Sequence, residues 1–196
     1  LRNYRRHGWI VLYLFGVSPA MCASFLSGRS DPGLKTLVPG TLYGPYATSL
    51  RMSDVGYRNS AQSELLVSVN SLREYVRDLA KAVATPHPDY AALGVRVDGQ
   101  WRQLNANVLQ IENEYYSFIR PKRVTAPGER PTKALARGGV QYVEVRSLDV
   151  SAFDPVGVNM NKLRFLEAFM AWCVLSPGAP IGAEEQLALD ANHVTV

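Results

Sequence analysis

The sequence predicts an α+β fold with mostly antiparallel strands and helices at their margins. Three observations carry that prediction. Apolar residues recur at helical spacing in two stretches, 70–84 and 159–176. Short runs rich in β-branched and aromatic residues lie between them, at 65–69 and 140–150. Asp98-Gly99 sits between GVRV and QWRQLNANVLQIE, the dipeptide that a two-residue hairpin turn favours.

In chain order, residues 1–15 read as a helix. Residues 18–26 read as a second, because Ser18 followed by Pro19 suits an N-cap and first helical position. Residues 27–45, dense in Gly and Pro, read as loop and divide helices from sheet. TSLRM is a short strand candidate, and SDVGYRNSAQS after it is polar loop. LLVSV (65–69) reads as a strand. NSLREYVRDLAKAVA follows as a helix, with Ser71 and Glu74 at capping-box spacing and Leu72, Tyr75, Val76, Leu79 and Val83 as its apolar stripe. SFIRPKRVTAPGERPT is basic and Pro-rich, hence loop, and ALARGG is a helical turn leading into VQYVEVRSLDV (140–150), a strand. NMNKLRFLEAFMAWCVLS is a long helix with a stripe of Leu163, Leu166, Phe169, Met170, Cys173 and Val174; EEQLALDAN is another helix. NHVTV reads as a strand-like end. The chain opens on Leu, and both ends read as cut from something longer. No repeat is visible, so residues 1–196 are taken as a single partial domain.

Composition sets the class. Of the 196 residues, 47% are hydrophobic and 19% charged, enough for a core and against wholesale disorder. The net charge of +4 comes from scattered cations with no basic stripe interleaved with aromatics, which argues against nucleic acid. Cys22 and Cys173 each lie in apolar segments with no partner at ligand spacing; two buried, reduced thiols of a cytoplasmic protein are expected, and no zinc site. Residues 8–26 carry no charge and imitate a membrane span, but Gly16, Ser18 and Pro19 interrupt them, so no membrane partner is expected.

The strand 140–150 raises a chemical question. Alternation places Tyr142, Glu144, Arg146 and Leu148 on one face. A solvated edge strand would explain that face. So would an ion pair of little consequence. The sharper reading is the floor of a cavity in a curved sheet. Glu144 would hold Mg²⁺, and Arg146, about 7 Å along the strand, would grip phosphate oxygens. QIENEYY places Gln110, Glu112, Glu114 and Tyr116 on one face, which by itself reads as solvent-facing. IRPKR gathers Arg120, Lys122 and Arg123, which suits phosphate or else a solvated loop; SLRMSDVGY supplies Arg51 and Tyr57, which by themselves read as a surface Arg and a half-buried Tyr.

Taken in order, LYLFGVSPAMCASFL, PYATSLRMSDVGY, NVLQIENEYYSFIRPKR, RGGVQYVEVRSLDV and RFLEAFMAWCVLS resemble the proteobacterial type of glutamate–cysteine ligase over essentially the whole chain. Members of that family are longer, so the resemblance is to a central part, holding some of a site and not all of it. It implies part of a glutamine synthetase-like catalytic core. It also implies ATP-dependent joining of the γ-carboxylate of L-glutamate to the amine of L-cysteine through an acyl phosphate. By that resemblance Glu144 is a Mg²⁺ ligand and Arg146 holds the transferred phosphoryl group. Arg51 and Tyr116 bind the cysteine carboxylate, and Tyr57 shapes the pocket for its side chain. Arg120 and Lys122 are assigned to ATP phosphates from their charge alone. Tyr115 competes with Tyr116 for its role; strand alternation favours Tyr116. A non-catalytic nucleotide- or amino-acid-binding module derived from the same fold remains the alternative. The oligomeric state is left open, a monomer included.

Overall fold

In a computed structural model the described residues are 1–27, 32–56, 62 and 65–196. Helices and antiparallel strands are mixed, as an α+β chain requires, but the described strands form small separate sheets rather than one broad one. The chain divides into two compact units, Leu1–Arg58 with Val145–Val196, and Asn59–Glu144.

The first unit opens with α1 (Arg2–His7) and α2 (Trp9–Phe15). They meet at Gly8, where an added Cβ would lie 2.6 Å from the Tyr4 carbonyl oxygen. Both pack on α6 (Met160–Leu175) through aromatic contacts of Tyr4 with Phe169, Phe15 with Phe165 and His7 with Trp172. Asn159 caps the start of α6 by accepting from the Lys162 N–H at 3.0 Å. At its end, where helix carbonyls lack partners, Asn3 Nδ2 donates to the carbonyls of Cys173 (3.0 Å) and Ser176 (2.9 Å). The predicted stripe is only partly buried: Cys173 is covered, but Leu163 and Val174 are exposed. α7 (Ala183–Thr195) is tied to α1 by Arg5–Asp190 and Arg6–Glu185 ion pairs. It takes in most of NHVTV, which is therefore not a strand.

Three expectations for this unit fail for one reason. Residues 18–26 are not a helix: β1 (Ala20–Cys22) pairs with β3 (Thr41–Tyr43), followed by a 3-10 turn at Ala23–Leu26. The supposed loop 27–45 contains β3 and β2 (Lys35–Val38), joined at Pro39-Gly40 with Gly40 at φ +82°, in the sheet order β1-β3-β2. TSLRM forms a 3-10 turn, Leu50–Met52, in place of a strand. A short apolar run does not declare helix or strand by itself; the partner that completes its hydrogen bonds decides. Cys22 is exposed, against expectation, while Cys173 is buried, and both are free thiols. Among the described residues no helix is long and apolar enough to cross a membrane.

The second unit is built on α3 (Leu72–Ala82). Ser71 caps it, accepting from the Glu74 N–H at 3.1 Å, and the predicted stripe packs inward: Tyr75, Leu79 and Ala82 join Leu109 and Leu135 in a core bordered by Leu72, Val76 and Val83. The Glu74 carboxylate does not reach back to Ser71; it accepts from the Ser68 hydroxyl instead. LLVSV turns Leu65 and Val67 to that core but finds no ladder partner among the described residues, so it is extended chain and not a strand. Past α4 (Pro88–Leu93), β4 (Arg96–Val97) and β5 (Gln100–Trp101) form the expected hairpin, with Asp98 at φ 52° and Gly99 at φ 78°, the pair of left-handed residues that a type I′ turn needs. The basic segment read as loop includes β6 (Ile119–Lys122), hydrogen-bonded to β7 (Tyr142–Val145). α5 (Pro131–Gly138) extends the helical turn expected at ALARGG.

Candidate functional site

Within the first unit, the segment after β7 leaves the sheet yet keeps a period-two burial pattern. Ser147, Asp149 and Ser151 are buried, at 0%, 3% and 3% exposure. Their anchors are side chains far off in sequence. The Tyr4 hydroxyl and Ser147 Oγ lie 2.6 Å apart. Asp149 collects four donors: the Val17 N–H at 3.0 Å and Ser18 Oγ at 2.7 Å on Oδ2, and Ser49 Oγ at 3.0 Å and Arg51 Nε at 2.7 Å on Oδ1. Ser18 therefore serves this carboxylate instead of starting a helix. Burial pushes the Asp149 carboxyl up. The hydrogen bonds from Arg51, Ser18, the Val17 N–H and Ser49 more than offset that and hold it below the ordinary carboxyl value.

Arg51 sits on the 3-10 turn and is fixed by Asp149. Its Nη2 also donates to the carbonyls of Arg146 and Leu148, each at 3.0 Å. One guanidinium thus ties the turn to the backbone of the Arg146 segment. Gly56 makes room: a Cβ there would stand 2.2 Å from the Arg51 carbonyl oxygen. Arg146 is half-buried and lies just past the end of β7, so it is not held by the ladder, as the strand reading assumed. Tyr57 falls outside the described residues.

The second unit holds the other cluster. Glu144, in β7, is half-buried, its side chain 38% exposed. Arg120 is buried on β6, with Nε and Nη2 donating to Glu144 Oε2 at 3.0 and 2.8 Å. Its Nη1 donates to the carbonyls of Asn113 (3.2 Å) and Tyr115 (3.0 Å). Lys122 is half-buried at the end of β6, and its carbonyl accepts from the Gln141 N–H.

QIENEYY is not a strand with one polar face. Glu112–Glu114 form a 3-10 turn, and Glu112 is buried. The Glu112 carboxylate accepts from the Thr132 N–H at 2.7 Å and the Thr132 hydroxyl at 2.5 Å, satisfying the first turn of α5. Tyr115 packs edge-on against Tyr75, ring centroids 6.2 Å apart, at the border of the core. Burial, and next Tyr115, push the Tyr75 phenol far above its ordinary pKa. Tyr116 keeps company with Phe118 instead, at 6.3 Å, and its N–H donates to Gln62 Oε1. Gln62 Nε2 returns a bond to the Glu114 carbonyl at 3.0 Å, clasping the turn from both sides.

Asp149 and Gln62 were missed from sequence. For Asp149 the signal was present: it shares the alternate face of 140–150 with Ser147. Gln62 lies in a polar stretch with no periodicity and gives none. Among the described residues no three His, Cys, Asp or Glu side chains gather as a metal site. Glu144 alone still fits Mg²⁺, which takes one or two protein carboxylates and completes its shell with water and phosphate oxygens.

The family model described as Glutamate-cysteine ligase matches residues 1–196. A glutamate–cysteine ligase of Shewanella oneidensis is 53% identical over 197 residues, covering 100% of this chain and 38% of the relative. One from Vibrio vulnificus is 56% identical over 181 residues, covering 92% and 34%. The crystal structure of glutamate–cysteine ligase from Francisella tularensis in complex with AMP superposes with a TM-score of 0.90 at 40% identity, over 98% of this chain and 38% of that one. A bifunctional glutathione synthetase from Pasteurella multocida shares the fold, with a TM-score of 0.59 at 21% identity, over 98% of this chain and 19% of its own. The chain thus spans little more than a third of the length of the curated relatives it matches.

Proposed function

Because this chain belongs to the glutamate–cysteine ligase family, we propose that it contributes part of an active site that joins L-glutamate to L-cysteine with ATP, opening glutathione biosynthesis in the cytoplasm. The observation that carries the reading is the Arg51–Arg146 link, a 3.0 Å hydrogen bond from guanidinium to main-chain carbonyl. It ties the cation assigned to the cysteine carboxylate to the segment of the cation assigned to the transferred phosphoryl group. The AMP complex of the Francisella protein supports a nucleotide site on this fold.

A γ-carboxylate oxygen of glutamate attacks the γ-phosphorus of ATP, the bond to the bridging oxygen breaks, and ADP leaves with an acyl phosphate formed. The neutral amine of cysteine then attacks the acyl carbon, phosphate departs, and the amine proton is lost. Negative charge stays on oxygens throughout, so catalysis rests on placed cations and needs no protein nucleophile. Arg146 grips the transferred group. Arg51, with its plane fixed by Asp149 and two carbonyls, receives the cysteine carboxylate together with Tyr116, and Tyr57 borders the cysteine side chain. Glu144 would hold Mg²⁺, which when bound neutralises phosphate charge in the transition state. Lys122 is assigned to the ATP phosphates.

The test is ATP-dependent phosphate release with glutamate and cysteine, on the full-length polypeptide and on the 196-residue chain in parallel. Arg146→Ala in the full-length protein should lose turnover by about 10²–10³-fold while its unfolding midpoint stays put. Near wild-type turnover would refute the assignment. Binding of nucleotide by the full-length protein without any phosphate release would favour a non-catalytic binding module.

A further inference from the structure

We infer that Arg120 is a positioning residue and not a phosphate contact: it locks the Glu144 carboxylate to the turn that leads into Tyr115 and Tyr116. The inference rests on the proposed role of Glu144 and deepens it.

A guanidinium on a side chain only 10% exposed is tolerated only when its donors are met inside the protein. They are met in a specific way. Nε and Nη2 both engage one oxygen, Glu144 Oε2, which fixes the carboxylate against rotation. Nη1 engages two carbonyls of the 3-10 turn and its exit, Asn113 and Tyr115. All three nitrogens are thus committed to internal acceptors. Four of its five N–H groups are spent this way, so a triphosphate could take Arg120 in a two-pronged grip only by breaking this buried ion pair or stranding a carbonyl. Geometry also explains why Arg and not Lys stands here: one ammonium cannot span a carboxylate and two carbonyls as a planar fork does. The consequence is coupling. The orientation of the carboxylate assigned to the metal and that of the turn leading to Tyr116 depend on one side chain.

Charge and placement must be separated in the test. Removing Arg120 altogether would also delete a positive charge beside a cation ligand, which favours metal binding and masks lost orientation. Arg120→Lys keeps the charge and loses the fork. Mn²⁺ is titrated into the full-length protein without nucleotide, followed by the electron paramagnetic resonance of free Mn²⁺, for wild type, Arg120→Lys and Glu144→Gln. The cysteine KM at saturating Mg²⁺ and the unfolding midpoint are measured alongside. Arg120→Lys should weaken Mn²⁺ binding about ten-fold or more, the range for losing the partner that orients a metal ligand. It should raise the cysteine KM and remain folded. Wild-type Mn²⁺ affinity in Arg120→Lys with weakened binding in Glu144→Gln overturns the inference alone. Wild-type affinity in Glu144→Gln overturns the metal role of Glu144 beneath it. Loss of the folded state in Arg120→Lys, with Glu144→Gln still folded, also overturns the inference, because Arg120 would then serve the fold independently of that carboxylate.

Discussion

Replacing Asp149 by Asn should be among the costliest single-atom changes available to this chain. The side chain is 2% exposed and accepts from Val17, Ser18, Ser49 and Arg51. Asn can turn its carbonyl oxygen to Arg51 Nε and Ser49 Oγ. Its NH₂ then faces the Val17 N–H and Ser18 Oγ. Ser18 can rotate to accept, with Ser49 Oγ only 3.2 Å away as another partner. The Val17 N–H cannot, and a stranded buried donor costs about 1–3 kcal/mol. Loss of the charge beside Arg51 adds less than the about 3–5 kcal/mol of a fully buried broken pair, because the Arg51 side chain is 30% exposed. The expected loss is about 2–4 kcal/mol, a large share of a stability of about 5–15. The pH dependence has a definite sign. The folded carboxyl is held below its ordinary value. Its contribution is therefore complete above about pH 4, the unfolded value, and is lost as pH falls through the lower folded one. Urea unfolding, read by fluorescence of Trp9 and Trp172 in the same unit, measures both. Wild type and Asp149→Asn should differ at about pH 7 and converge in acid. A difference under about 0.5 kcal/mol at neutral pH, the noise of an ordinary surface change, or one that widens in acid, would refute the reasoning.

Two further changes probe the same parts. Gly56→Ala puts a Cβ 2.2 Å from the Arg51 carbonyl and 2.6 Å from that of Leu50. Backbone cannot yield as a flexible side chain does, so the 3-10 turn must move, at about 1–3 kcal/mol; the cysteine KM of the full-length protein should rise, and an unchanged KM would contradict the placement of Arg51. Tyr116→Phe should raise the cysteine KM, whereas Tyr115→Phe should leave it alone, since the Tyr115 ring lies at the core border against Tyr75; the reverse pattern in steady-state kinetics would exchange the two assignments.

What could be read from sequence was local. Ser71 three residues before Glu74 announces a cap, Leu72 to Val83 a buried stripe, and Asp98-Gly99 a turn with two left-handed residues. Each signal lies within a few adjacent residues, because capping, helical period and turn geometry are properties of short chain. The resemblance of the long motifs likewise pointed to the family without coordinates. The alternation in 140–150 was legible too, but its meaning was not: the face holding Ser147 and Asp149 looked plain beside Glu144 and Arg146.

Tertiary structure decided the rest, because the deciding partners are distant. Ala20–Cys22 is a strand only because Thr41–Tyr43 lies beside it, and Leu65 to Val69 fails to be one because no strand among the described residues does. Asp149 becomes a hub through Ser49, a hundred positions away, and Ser147 is anchored by Tyr4, 143 away. By charge alone Arg120 reads as a phosphate contact or a solvated loop cation; in the fold Glu144 and two carbonyls surround it. Sequence determined the family, the helices with their own caps and stripes, and which charged residues were available. Which of those charges face a ligand and which face one another was left to the folded chain. A buried charge is stable only where the fold brings up acceptors to meet it, and no short stretch of sequence carries that information.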